Sequence, residues 1–190
     1  MKIIDSTVQK SYINEFRNKI KVPTKTYLHL GSGVCMGASA YYLKNKLRDK
    51  GNFWEWLSDF DNKFAVIAPY LNDDYNMLPP LVASNNINKF LKNVLESKIT
   101  YAVDRNWLPD LYSALTKLKQ GKVGRFCVFT SGEQGPAHAI AFINYQRPRL
   151  MDPNIGEIEF DDDNDFYSWL LANWQSNYEK YHSANVFVYA

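Results

Sequence analysis

The sequence predicts an α+β domain in which a helical half packs against an antiparallel β-sheet. Three observations carry this. Through most of the first two thirds, apolar residues recur at helical spacing. Beyond residue 124 the period changes to two, the signature of strands. The strands so marked are short and joined by tight turns, which favours antiparallel pairing. Helices first and strands afterwards describe two packed halves rather than alternating βαβ units.

The elements follow in order. Ser6-Thr7 can cap a helix over 6–20, with Ile13, Phe16 and Ile20 on one face. A second helix is expected over 35–49, opened by Cys35 and ended by Gly51. Residues 53–68 are rich in aromatics (Phe53, Trp54, Trp56, Phe60, Phe64), stop at Pro69 and read as a core helix. Two more helices are expected over 84–97 and 107–119, on the stripes Ile87-Phe90-Leu91-Val94 and Leu108-Leu111-Leu115-Leu118. Strands are expected at 125–130, 137–143, 148–152 and 156–160. Asp163 or Asn164 can cap a helix over 165–180, and 185–189 forms a last strand.

With 190 residues, the chain suits one domain with a sizeable core. Hydrophobic residues make up 46% and aromatics 15%, which excludes a disordered chain. The formal net charge is only +2, and acids and bases are interspersed. No basic stripe or reader motif points to nucleic acid, and Lys44–Lys50 reads as the solvated end of a helix. No apolar run reaches the roughly 20 residues that span a bilayer, so no stable membrane insertion is expected. The start, MKIIDSTVQK, lacks the apolar core of a secretory signal peptide. Two cysteines make no disulfide scaffold, and no Cys/His pairing has zinc spacing. A soluble protein of a reducing compartment is expected.

The residues that can carry chemistry begin with Cys35. It follows Gly31-Ser32-Gly33, which frees the backbone to turn, and precedes a run of helix formers. A thiol at a helix N-terminus sits beside unpaired N–H groups and the positive end of the macrodipole, and both favour the thiolate. A plain core cysteine fits the local sequence too. His138, in Gly135-Pro136-Ala137-His138-Ala139, has small neighbours and stands near the start of a strand, where a base can face a helix N-terminus across a cleft. Asp152, in Met151-Asp152-Pro153-Asn154-Ile155-Gly156, lies on the next strand if the two are joined near 144–147. It can then accept the second N–H of the imidazole, although the same stretch is good turn chemistry by itself. A nucleophilic thiol needs a base and the base needs an orienter, so the three together make more sense than apart. Cys127 between apolar strand residues, a surface His182, and Asp161-Asp162-Asp163 with Asp165 at a helix start suggest no chemistry. The acidic run lacks the spacing of a calcium loop.

The stretches GVCMGASAYYL, HAIAFI and MDPNIGEIEF resemble the YopT-type cysteine proteases, a papain-fold family of bacterial effectors delivered into host cells. The resemblance covers residues 25–190 and implies a papain-like catalytic domain there, preceded by a short N-terminal segment over 1–24 that reads as helical from its own pattern. It implies a Cys35/His138/Asp152 triad, no cofactor, and a host signalling protein such as a small GTPase or a kinase as substrate. Papain-like enzymes also use a side-chain amide just before the cysteine to bind the oxyanion, together with the cysteine's own N–H. No Asn or Gln lies between Lys25 and Cys35, which leaves His29, ahead of Ser32, as the expected donor. The same triad serves glutamine deamidases and acyltransferases, and the missing amide also suits an inactive interaction module.

Overall fold

The computed structural model describes residues 1–6, 11, 14, 35–49, 51–67, 99–103, 107–116, 123–131, 137–181 and 183–189. Its centre is a seven-stranded sheet: β1 (Lys2–Asp5), β2 (Ile99–Val103), β3 (Gly124–Thr130), β4 (Ala137–Tyr145), β5 (Arg147–Asp152), β6 (Gly156–Glu159) and β7 (Ser183–Tyr189). The spatial order is β1-β6-β5-β4-β3-β7-β2, and every neighbouring pair is antiparallel. Helices α1 (Cys35–Leu47), α2 (Phe53–Ser58) and α3 (Phe60–Ile67) lie on one face, while α4 (Trp107–Thr116) and α5 (Asp163–Asn177) lie on the other.

Covering both faces explains why the central strands read as almost continuous apolar runs. All seven residues of β3 are buried. Alternation along β4 then divides the core. Ala139, Ala141 and Ile143 face α1, and Ile140 and Phe142 face α5. The small residues on the α1 side make a seat for that helix. A Cβ on Gly124 would stand 2.8 Å from Leu43 Cδ2, so α1 lies directly against the backbone of β3. The Ser39 hydroxyl donates to the Ala139 carbonyl at 3.0 Å and fixes the helix along β4.

Several boundaries differ from the sequence expectation for local reasons. The expected helix over 53–68 is two helices. Asp59 has extended backbone, and its carboxylate caps the second helix by accepting from the N–H groups of Asp61 and Asn62. Asp162, not Asp163 or Asn164, caps α5, accepting from the N–H groups of Asn164 and Asp165 at 2.8 Å each. The acidic run thus serves a helix start. Two strands were not expected. β2 pairs with β7, and β1 pairs with β6 at the far edge. Residues 2–5 of the segment 1–24 are therefore part of the sheet, not of a helix. Of the expected helix over 6–20, Ser6, Ser11 and Asn14 are described; Ser11 and Asn14 are helical and Ser6 is not. The expected helix over 84–97 lies outside the described residues.

β1 reaches β6 because Gly156 has no side chain. Its φ is +113°, and a Cβ built there would lie 2.1 Å from the carbonyl oxygen of Asp5. Gly156→Ala combines backbone strain with a backbone clash, so a loss of about 1–3 kcal/mol is expected. Urea denaturation checks the magnitude. Faster amide exchange at residues 2–5 would show that the lost contact is the β1–β6 pairing.

Candidate active site

The sequence candidates that are described come together at one end of the sheet. Cys35 is the first residue of α1 and is buried, 7% exposed. The first N–H groups of a helix have no partner within it, so that of Cys35 is available to a ligand. His138 is the second residue of β4, and Asp152 the last of β5. A one-residue connection at Gln146, with φ +59°, joins those strands. Ala141 pairs with Met151. One step further would set Asp152 opposite Ile140, and His138 is the next residue on that face, a diagonal cross-strand neighbour. The register thus delivers the contact: His138 Nε2 to Asp152 Oδ1 is 2.9 Å, with both side chains about 95% buried or more.

The Asp-Pro-Asn-Ile-Gly stretch is also a turn, and the carboxylate serves both purposes. Asp152 Oδ1 accepts from the Asn154 backbone N–H at 2.8 Å, and Oδ2 accepts from the Tyr178 hydroxyl at 2.8 Å. Burial by itself would raise the carboxyl's pKa. The charge of His138 and the hydrogen bonds from His138, Asn154 and Tyr178 outweigh it and hold the group below its ordinary value. For His138, burial acts to lower the value, but the Asp152 charge and hydrogen bond and a hydrogen bond with the Cys35 side chain raise it above the ordinary imidazole range. Because Nε2 is engaged by Asp152, the thiol is left to Nδ1. The chain thus carries a buried histidine–carboxylate pair with the Cys35 side chain bonded to the same imidazole.

Aromatic rings hold this pair in place. Phe129 of β3 and Tyr181 lie over the His138 ring, centroids 6.5 and 6.3 Å away and planes within 20° of parallel. Neither Tyr178 nor Tyr181 was a sequence candidate. They lie more than two dozen residues from Asp152 along the chain, and only the return of α5 toward β7 brings them back.

A second buried carboxylate ties the helix of Cys35 to the turn of Asp152. Glu157, fully buried and just past Gly156, accepts from Tyr42 Oη at 2.8 Å and Trp54 Nε1 at 2.7 Å. Lys46 Nζ and Arg149 stand 3.2 and 3.5 Å from it. Tyr42 and Lys46 belong to α1, so Glu157 sets the distance between the helix of Cys35 and the strand after Asp152. In the strictly alternating stretch Gly156–Phe160 nothing distinguishes Glu157 from Glu159, and only the fold buries it. Of the aromatics of 53–64 expected in the core, Phe53 is buried, and Trp54 and Trp56 are partly buried against the same cluster, with Trp56 stacked on Tyr41 at 5.6 Å.

Cys127 is fully buried, and burial pushes its thiol far above the ordinary range, in keeping with an inert core residue. His29, Ser32 and His182 lie outside the described residues. Among the described residues no group of His, Cys, Asp and Glu is placed to hold a metal ion, and no helix is long and apolar enough to cross a membrane.

Comparisons with known proteins bear on the fold and the family. A solved structure of the Pseudomonas avirulence protein AvrPphB superposes with a TM-score of 0.57 at 15% identity, covering 85% of this chain and 94% of that one. That likeness is one of fold, the papain-like cysteine protease fold. The cysteine protease-like domain PatoxP of the Photorhabdus asymbiotica toxin PaTox gives a TM-score of 0.38 at 17% identity, covering 94% of this chain and 57% of that one. No curated protein matches the sequence. The peptidase family described as Yersinia/Haemophilus virulence surface antigen matches residues 80–186, a stretch that holds His138 and Asp152 and begins after Cys35. That match spans more than half of the chain, which therefore belongs to this family of YopT-type cysteine proteases.

Proposed function

We propose that the protein is a cysteine endopeptidase that acts on a host-cell protein. The observation that carries this is the buried 2.9 Å His138–Asp152 bond, with the Cys35 side chain hydrogen-bonded to the same imidazole. The thiolate, not the thiol, is the nucleophile. A protonated His138 beside Cys35 supports it, and Asp152 keeps that proton on the ring.

The steps balance with these residues alone. The Cys35 sulfur attacks the substrate carbonyl carbon, and the negative charge moves to the carbonyl oxygen. The backbone N–H of Cys35 and His29 are the donors proposed for that oxygen. His138 passes its Nδ1 proton to the departing amine as the C–N bond breaks, leaving a thioester on Cys35. His138 then takes a proton from water, whose oxygen attacks the thioester. The C–S bond breaks, the acid leaves, and the thiolate–imidazolium pair is restored.

Host small GTPases and kinases are the first substrate classes to test. Wild-type protein and Cys35→Ala are incubated with host-cell extract, and new protein N-termini are mapped. New termini that appear only with the wild type are expected. A host protein that gains about one dalton, or an acyl group, without chain cleavage would instead make the same triad a deamidase or a transferase. No change that depends on Cys35 would leave an interaction module.

A further inference from the structure

We infer that Tyr178 is a positioning residue of the site: its hydroxyl holds the Asp152 carboxylate so that Oδ1 is presented to His138. This rests on the catalytic reading above and adds a fourth residue to it. Tyr178 is the C-cap of α5, and its own N–H donates to the Trp174 carbonyl at 2.9 Å, so the helix end fixes where it stands. Its side chain is fully buried, and its hydroxyl reaches Asp152 Oδ2 at 2.8 Å. The ring stacks on Phe129 at 5.0 Å, and Phe129 in turn lies over His138. The carboxylate is therefore gripped at both oxygens, Oδ2 by Tyr178 and Oδ1 by Asn154 and His138. A carboxylate held only at Oδ1 can turn about its own bond and release the imidazole. One held at both cannot.

Among the described residues, the groups that act on the carboxylate are His138 on β4, the Asn154 N–H of its own turn, and Tyr178 and Tyr181 after α5, while Cys127 on β3 faces Tyr178 and Cys35 on α1 faces His138 and Tyr181. Among these, Tyr178 and His138 donate side-chain hydrogen bonds to it. Deleting the Tyr178 hydroxyl removes a donor to the charged form. Asp152 then takes up a proton at higher pH, and its charge no longer supports the protonated ring of His138.

The test is the rate of Cys35 alkylation by iodoacetamide between pH 4 and pH 8, read by intact mass in wild type, Tyr178→Phe and His138→Ala. The expected result is that the acid limb of the Tyr178→Phe profile moves to higher pH by about one unit while the plateau changes little. A role in packing alone would lower stability without moving the limb. A Tyr178→Phe profile that superposes on the wild type, while His138→Ala abolishes the limb, overturns the inference and leaves the triad standing. A wild-type profile alike in His138→Ala overturns both. If Tyr178→Phe does not fold, 3-fluorotyrosine at position 178 keeps the hydroxyl and strengthens its donation. The limb must then move to lower pH, and an unmoved limb overturns the inference.

Discussion

Asp152→Ala is expected to lower stability by about 3–5 kcal/mol near pH 5–6, the range for removing one partner of a buried charge pair. The substitution leaves three donors without their acceptor in a site that solvent barely reaches: His138 Nε2, the Asn154 N–H and the Tyr178 hydroxyl. Domains of this size have about 5–15 kcal/mol in all, so the loss is a large share, and Tm should fall by roughly 10 °C or more. The pH dependence has two signs. The raised value of His138 contributes stability that is complete below its unfolded value of about 6.5 and is lost as pH rises through the folded one. The lowered value of Asp152 contributes stability present above its unfolded value of about 3.9 and lost as pH falls through the folded one. The gap between wild type and variant is therefore widest between about pH 4 and pH 6.5 and narrows on either side. Asp152→Asn, which keeps an acceptor and the shape, should lose less. Thermal unfolding across pH 4–9 decides, and equal stability in Asp152→Ala at every pH would mean that the pair does not form.

Cys35→Ala and His138→Ala are each expected to lower kcat on a cleaved host protein by about 10³-fold or more, with the double variant no worse than either single one. The reason is that one step needs both groups: without the thiolate there is no acyl-enzyme, and without the imidazolium there is no proton for the amine. The two differ in stability. Cys35→Ala removes a small buried group. His138→Ala leaves the Asp152 carboxylate to Tyr178 and the Asn154 N–H alone. Losses that multiply in the double variant would place the residues in separate roles.

Much of this site was legible in the sequence because its parts are local. Cys35 opens a run of helix formers, His138 begins a strand, and Asp152 ends the next, with a single hinge residue between those strands. The turn residues around Asp152 allowed both a turn and a bond to the imidazole, and the carboxylate makes both contacts, one with the Asn154 N–H and one with His138 Nε2. What was not legible is non-local. Glu157, Tyr178 and Tyr181 meet Tyr42, Asp152 and His138 across more than twenty residues of chain, so no spacing rule marks them. The edge strands were missed for a related reason. Lys2–Asp5 is four residues long, too short for a period to show, and Ile99–Val103 follows a stretch that reads as helix. The division of helices between two faces was also hidden, because α4 and α5 bear stripes no different in kind from the helices opposite. Only the strand order places them.

The most direct test of the central claim is the alkylation of Cys35 by iodoacetamide at pH 5.5, followed by intact mass in wild type and His138→Ala. If Cys35, His138 and Asp152 work as one set, the wild-type thiol reacts readily at that pH, and His138→Ala slows it by at least about 10²-fold, the low end of what a positioned acid–base group contributes. A thiol that reacts alike in both proteins, and only as the pH approaches the ordinary thiol value of about 8.5, would contradict the account.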